Sequence, residues 1–342
     1  MHATAYASAQ QHLSAILARC LAPRKPLTVS QWSDLHRRLS SKGSAEAGRW
    51  RTARNPPLAE PMDALSARST AKDVVLMFPI QFGKTEVAIN ALGYIMDHNP
   101  GPTMVCLPGE VSRDKWVAQK LGPMIDETPA VKAALTSTAT RDGANRREFK
   151  DFAGGQLYLE HAGSPSRLKS TTVRTLLVDE VDEFANNLTG GDDPLEMLNG
   201  RTSAFPATSK RLYISTPQIK GLSRIEQLWL KSDQRRYHVP CPHCGHMQHL
   251  QWTGLHWTPD ASHCWYVCQE CGAQSPKWLG RCAECGAALQ GVLNGAGELD
   301  AGGKVQVECP VGTLQLKRLQ LLRQRSSLKP QVGSQCLFTF LE

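Results

Sequence analysis

Two short stretches of this sequence carry residue types suited to phosphate chemistry. Gln81-Phe82-Gly83-Lys84-Thr85 directly follows the apolar run Val74–Phe78 and opens a stretch of helical spacing. A strand–loop–helix junction of this kind aims backbone N–H groups at an anion, and the helix dipole favours the anion's charge. Lys84 would reach the β- and γ-phosphates of ATP, and the Thr85 hydroxyl would hold Mg²⁺. The standard pattern has glycine five residues before Gly83. Phe78 stands there instead, so the loop is a degenerate P-loop. The second stretch, Leu176-Leu177-Val178-Asp179-Glu180, is an apolar strand ending in two carboxylates. Asp179 would bind Mg²⁺ through water, and Glu180 would polarise the attacking water.

Read alone, each motif has a plain structural alternative. The first is then a chance turn, and the second a strand followed by an acidic helix start, continued by Asp182 and Glu183. Together, in this order and each at the carboxyl end of a strand, they predict one nucleotide site. It would comprise Gln81, Phe82, Gly83, Lys84, Thr85 and Asp179, with Lys84 and Glu180 in the catalytic roles. A third strand, Tyr213-Ile214-Ser215-Thr216-Pro217, also runs into small hydroxyl residues, which alone is an ordinary turn.

Six of the eleven cysteines form the C-x-x-C pairs Cys241/Cys244, Cys268/Cys271 and Cys282/Cys285. This spacing suits zinc thiolates better than a disulfide framework. A tetrathiolate needs four of the six. The first two pairs make one candidate site and the last two another, so both compete for Cys268 and Cys271. Four thiolates leave no open position, and the Zn²⁺ would be structural. His243, His246 and His263 read as surface or packing residues. Trp252, Trp257, Trp265 and Trp278 lie among basic residues and would suit base stacking, but in so small a module they more often form the core.

These motifs need elements to position them. The runs Val74–Phe78, Thr103–Leu107, Leu157–Glu160, Thr175–Val178 and Leu212–Ile214 are each fit for a buried strand. Cys106, inside the second, reads as a core residue. Between the first two runs, Val87, Ala88, Ala91, Leu92, Ile95 and Met96 recur at helical spacing over Thr85–Asp97. Strand, helix, strand in this order predicts an α/β fold with a mostly parallel sheet and flanking helices. We expect a basic, partly helical arm over 1–60, the α/β domain over 61–235 and a cysteine module over 236–290. A Gly-rich and basic tail over 291–342 is expected to be poorly ordered, although the composition of Leu314–Lys329 would permit a helix. Lys and Arg number 39 against 31 acids, a net charge of +8 compatible with nucleic acid. No run approaches a membrane span and no secretory signal pattern opens the chain, so a cytoplasmic protein without membrane partners is expected.

Several segments together resemble the large terminase subunits of tailed phages, specifically the lambda-like GpA family. They are Leu27–Trp32, Ser44–Trp50, Met62–Leu65, Gln81–Glu86, Leu176–Phe184, Ile214–Pro217 and Val239–Gly245. The resemblance covers about residues 25 to 270. It implies a P-loop NTPase of RecA/ASCE type that uses Mg-ATP to move double-stranded DNA into a prohead. It also implies a small terminase subunit and the portal as partners, a homo-oligomer on the portal, and action in the bacterial host cytoplasm. Ser215 and Thr216 would sense the γ-phosphate, and a zinc ribbon is implied at the cysteines. Some relatives carry an arginine within the loop, near Ile80. None is present here, which leaves Arg201, Arg113 or a neighbouring subunit for that role. The carboxylates after Cys285 do not suggest the nuclease domain usual in the family, so no nuclease activity is expected of this chain. Tyr266–Cys271 and Ser275–Cys282 resemble the zinc knuckle of RadA-type repair proteins. This keeps two alternatives in view: a helicase or repair ATPase, and a truncated, non-catalytic binding fragment.

Overall fold

The computed structural model describes residues 8–21, 25–41, 47–135, 146–169, 171–259 and 264–275, and the backbone alone of 304–309 and 312–317. Helices α1 (Ala9–Leu21) and α2 (Val29–His36) come first, then a short ladder of β1 (Arg38–Leu39) with β2 (Gly48–Arg49), and helix α3 (Ala59–Ala64). The central unit is β3 (Asp73–Met77), α4 (Lys84–Asp97), β4 (Thr103–Leu107), α5 (Glu110–Trp116), α6 (Gly122–Glu127) and α7 (Pro129–Ala134). It continues through β5 (Phe149–Phe152), β6 (Gly155–His161), α8 (Pro165–Lys169), β7 (Thr175–Asp179), α9 (Pro194–Asn199), β8 (Lys210–Ser215) and α10 (Arg224–Leu230).

Six strands form one sheet in the order β3-β8-β7-β4-β6-β5. All neighbours are parallel except β5, which pairs antiparallel with β6 at the edge. Strand β8 therefore separates the loop-bearing strand from the strand ending in Asp179, an arrangement that places all three strand ends side by side. The five apolar runs are five of these strands. Their continuous apolar character has a simple cause, since both faces are covered. Leu177, Val105, Leu157, Leu159, Leu212 and Ile214 enter one core with residues of α2, α3 and α4. Leu176, Val178, Met104, Cys106 and Tyr213 enter a second core, with Leu168 of α8, Leu195 and Leu198 of α9 and Ile225 of α10. Strand β5 was not expected. Its sequence, Phe149-Lys150-Asp151-Phe152, is only partly buried and lacks an apolar run.

Helix α2 and the described residues of the basic segment that follow it are held by what they pack against. Helix α2 starts with a capping box in which Thr28 and Gln31 satisfy each other's backbone N–H. Trp32 is fully buried, and its Nε1 donates to Asp97 Oδ2 at 2.8 Å. Opposite stands Gly93 of α4, where a Cβ would lie 2.4 Å from the Trp32 ring. Only glycine allows this approach, so α2 is locked onto the helix that begins at Lys84. Trp50 and Leu58 enter the same core. Arg37 is buried and bonds Glu86 of α4 at 3.2 Å. Burial pulls its pKa down, and the Glu86 charge opposes that.

Beyond α10 lie two small sheets, β9 (Val239–Pro240) with β10 (Met247–Gln248), and β11 (Leu255–Trp257), β12 (Cys264–Val267) and β13 (Gln274–Ser275). In the tail, β14 (Lys304–Cys309) pairs antiparallel with β15 (Gly312–Lys317), so residues 314–317 are extended rather than helical. Cys282, Cys285, His263, Trp278 and residues 318–342 lie outside the described residues.

Candidate functional site

The loop after β3 folds into a cradle because two residues take left-handed backbone: Gln81 at φ 62° and Gly83 at φ 92°. Such conformations turn successive N–H groups toward one point, the geometry of an anion nest. The cradle is braced from the N-terminal segment. Asn55 Nδ2 donates to Phe82 O at 2.8 Å, and a Cβ on Gly83 would crowd Leu58 Cδ1 at 3.2 Å. Phe78, in the place of the usual glycine, is 8% exposed and packs edge-on against Phe82 with ring centroids 4.7 Å apart. The aromatic pair thus fills the base of the loop. Lys84 and Thr85 form the first turn of α4.

Asp179 ends β7 with 4% exposure, and three donors surround its carboxylate. Thr85 Oγ1 and Trp116 Nε1 both donate to Oδ2 at 3.2 Å, and the Glu180 N–H donates to Oδ1 at 3.1 Å. Burial raises the Asp179 pKa, while the Trp116 and Thr85 hydrogen bonds and the Lys84 charge pull the other way. The Thr85 proton is spent on Asp179, which leaves the hydroxyl lone pairs for a cation. A buried carboxylate beside a hydroxyl is an oxygen donor set that suits Mg²⁺. Glu180 sits at φ 58°, ψ 49°, a conformation that costs a non-glycine residue about 1–2 kcal/mol. Burial, then the charges of Asp179 and Glu183, raise its pKa. Strained backbone of this kind clusters at functional sites.

Sequence reasoning missed three of these supports: Asn55, Trp116 and Asp182. Asp182 ties the acidic turn to the segment after β8. Its N–H donates to Ser215 Oγ at 3.2 Å, and its carboxylate accepts from Ile225 N at 2.8 Å, Gln218 N at 3.3 Å and the Ser223 hydroxyl. The Ser215 hydroxyl, on a residue 2% exposed, thus accepts from this turn and donates to Thr216 O at 3.3 Å, and Thr216 is the more accessible of the two. A run of acids in the sequence gave no sign that one of them caps α10.

Neither arginine considered for the γ-phosphate is idle. Arg113, 1% exposed, meets Glu110 at 3.2 Å and Asp114 and Glu148 at 3.0 Å. Arg201 donates through Nε to Met197 O at 3.2 Å and through Nη1 to Lys169 O. Both guanidinium groups are held by partners of their own subunit.

In the cysteine module, the Sγ atoms of Cys241, Cys244, Cys268 and Cys271 all lie within 4.8 Å of one another. Cys241 to Cys271 measures 3.9 Å and Cys244 to Cys268 measures 3.8 Å. A tetrahedron with Zn–S bonds of about 2.3 Å has S···S edges of about 3.8 Å, so the thiols fit Zn²⁺. Two matching turns deliver them. In each, the first cysteine's N–H bonds the carbonyl five residues on (His246 or Ala273), and the glycine after the second cysteine takes positive φ (Gly245 at 75°, Gly272 at 67°). The pair Cys268/Cys271 is thus joined with Cys241/Cys244. Trp252 and Trp257 are 40% and 48% exposed rather than core residues.

A parallel sheet with β8 between loop strand and acidic strand, and a Gly-Lys-Thr turn opening the helix, defines a P-loop NTPase of RecA/ASCE type. The family "Phage terminase large subunit gpA, ATPase domain" matches residues 44–278, and the chain belongs to it. The terminase large subunit of Escherichia phage lambda is 25% identical over 262 residues, covering 73% of this chain and 40% of that protein. That of Enterobacteria phage P21 is 24% identical over 256 residues, covering 72% and 39%. The chain thus spans about 40% of the length of these curated relatives. The HK97 bacteriophage large terminase aligns at TM-score 0.45 and 10% identity, over 60% of this chain and 41% of that one. Among the described residues, no helix is long and apolar enough to cross a membrane.

Proposed function

We propose that this chain is the ATP-hydrolysing motor part of a DNA-packaging terminase large subunit, coupling Mg-ATP hydrolysis to movement of double-stranded DNA into a prohead. The observation that carries this reading is the Thr85–Asp179 hydrogen bond, 3.2 Å long, joining the P-loop helix to the acidic strand end. It puts hydroxyl, buried carboxylate and strained Glu180 within one small volume at the carboxyl edge of the sheet. Lys84 holds the β- and γ-phosphates, Thr85 and Asp179 hold Mg²⁺, and Glu180 accepts a proton from the attacking water. Bound Mg²⁺ neutralises charge on the phosphate oxygens. Gln81, Phe82 and Gly83 supply the loop backbone, and Thr216, steadied by Ser215, faces the γ-phosphate.

Cys241, Cys244, Cys268 and Cys271 hold one structural Zn²⁺. Exposed Arg38, Arg49, Arg51 and Arg54 offer charge to duplex phosphates. The small terminase subunit, the portal and further copies of this chain complete the assembly, which acts in the host cytoplasm.

The test is Mg²⁺-dependent ATP hydrolysis by the purified chain, with and without duplex DNA and across a salt series. Lys84→Ala should cut turnover about a hundredfold or more, and DNA affinity should fall steeply with salt. Turnover equal in Lys84→Ala would overturn the site, and DNA binding indifferent to salt would overturn the phosphate contacts.

A further inference from the structure

Trp116 belongs to no motif, yet its indole reaches the centre of the proposed site. It is the last residue of α5, 8% exposed, and a π-helical turn over Val117–Leu121 follows it immediately. Turns of this type add a residue to the helical repeat and recur at functional sites. Among the described residues, three donors reach Asp179: Thr85 and Trp116 on Oδ2, and the Glu180 N–H on Oδ1. An ionised carboxylate offers about four acceptor positions, two on each oxygen. Oδ2 is therefore filled, and one position remains, on Oδ1.

We propose that Trp116 is a positioning residue that confines Asp179 to this single free acceptor and so makes the site selective for Mg²⁺ over Ca²⁺. The inference rests on Asp179 serving the metal, as set out above. Mg²⁺ is small, keeps several of its waters and accepts one-point support from a carboxylate. Ca²⁺ takes six to eight oxygens and gains from a bidentate carboxylate. With Oδ2 occupied by the Thr85 hydroxyl and by the indole N–H of a buried side chain, the bidentate mode is closed. Thr85 alone would not close it, because a hydroxyl rotates and one position on Oδ2 would stand open. The indole donates in a fixed direction and accepts nothing.

The experiment compares the full chain with Trp116→Phe, and with 3-benzothienylalanine at position 116, which keeps the bicyclic shape but has no N–H. The readout is equilibrium binding of the fluorescent nucleotide mant-ATP, titrated separately with Mg²⁺ and Ca²⁺, and in EDTA. Both variants should bind mant-ATP in EDTA as the parent does. Their Mg²⁺/Ca²⁺ ratio of apparent affinities should fall about tenfold, equivalent to about 1.4 kcal/mol. An unchanged ratio would overturn the proposal. So would a loss of binding in EDTA as large as the loss with metal, which would make the indole a structural prop for the loop. Asp179→Asn separates the two levels of the argument. If it alone abolishes the metal response, the site assignment stands without a selective role for Trp116. If the metal response survives Asp179→Asn, the metal assignment fails and this inference with it.

Discussion

The nucleotide edge and the cysteine module are built on opposite plans. At the edge, residues as distant as Asn55, Lys84, Trp116, Asp179 and Asp182 are held by two apolar cores covering both faces of a six-stranded sheet. The chemistry is thin and the scaffold heavy. In the module, strands of two to four residues surround four thiols, and Leu255 and Tyr266 are the buried apolar side chains apart from cysteines among its described residues. There the ligand set is most of the scaffold. A site residue at the edge should therefore be replaceable with the fold kept, whereas a thiol in the module should not.

The largest effect should come from the module. Binding of structural zinc is worth about 10–16 kcal/mol in small domains, far more than so few buried side chains provide. Chelation, or Cys244→Ser, should release residues 239–275 to rapid hydrogen exchange and proteolysis while the sheet stays protected. Equal protection of the module with and without metal would break the contrast.

Next comes the scaffold of the edge. Trp32→Ala removes a fully buried indole between α2 and α4 and should cost about 3–5 kcal/mol of stability, read in a denaturant melt. The loss should spread to the P-loop helix, raising exchange in α4. A melt within experimental error of the parent would show that the N-terminal segment is an appendage and not part of the sheet's core.

Asp182→Ala sharpens the comparison, because it should spare the fold and damage the work. Without the carboxylate, Gln218, Ser223 and Ile225 lose their tie to the acidic turn, while the backbone N–H at 182 still holds Ser215. A misplacement of this order costs up to about a hundredfold in rate. Turnover should fall tenfold or more, with mant-ATP affinity changed less than threefold. Parent-like turnover would mean the tie is dispensable.

The smallest effect concerns the ion cluster around Arg113. Hydrogen bonding to Arg167, with the nearby Arg113 charge, lowers the Glu148 pKa, and Arg113 and Arg147 lower that of Asp114. A carboxylate depressed in the folded state stabilises above its unfolded value and loses that contribution as pH falls through its folded one. Stability should therefore drop below the ordinary carboxylate range of about pH 4. Both groups are only half-buried and solvent screens their ion pairs, so Glu148→Gln should flatten this acid limb only slightly in a thermal melt. Burial raises the neighbouring Glu160 instead, which opposes the trend. A steeper acid limb in the variant would contradict the assignment.

The same contrast explains what could be read from the sequence. Five strands were legible because both faces are buried and the runs are continuously apolar. Strand β5 was not, because an edge strand carrying Lys150 and Asp151 has only partial burial to advertise it. Lys84, Thr85, Asp179 and Glu180 were legible as candidates because they stand at or just after strand ends. Asn55, Trp116 and Asp182 act through contacts 27, 63 and 33 to 43 residues distant in the chain, and no local pattern encodes such meetings. For the cysteines, spacing admitted two ligand sets. Only the folding of the two matched turns brings Cys241 and Cys244 onto Cys268 and Cys271.

The central claim is that Glu180, held in left-handed backbone beside Asp179, is the base for ATP hydrolysis. Glu180→Gln keeps the side chain's shape and removes its basicity, so binding and turnover measured on one preparation test it directly. The account predicts mant-ATP affinity within about threefold of the parent and turnover reduced at least a hundredfold, within the range usual for loss of a general base. Turnover close to the parent's in a variant that still binds nucleotide would contradict it.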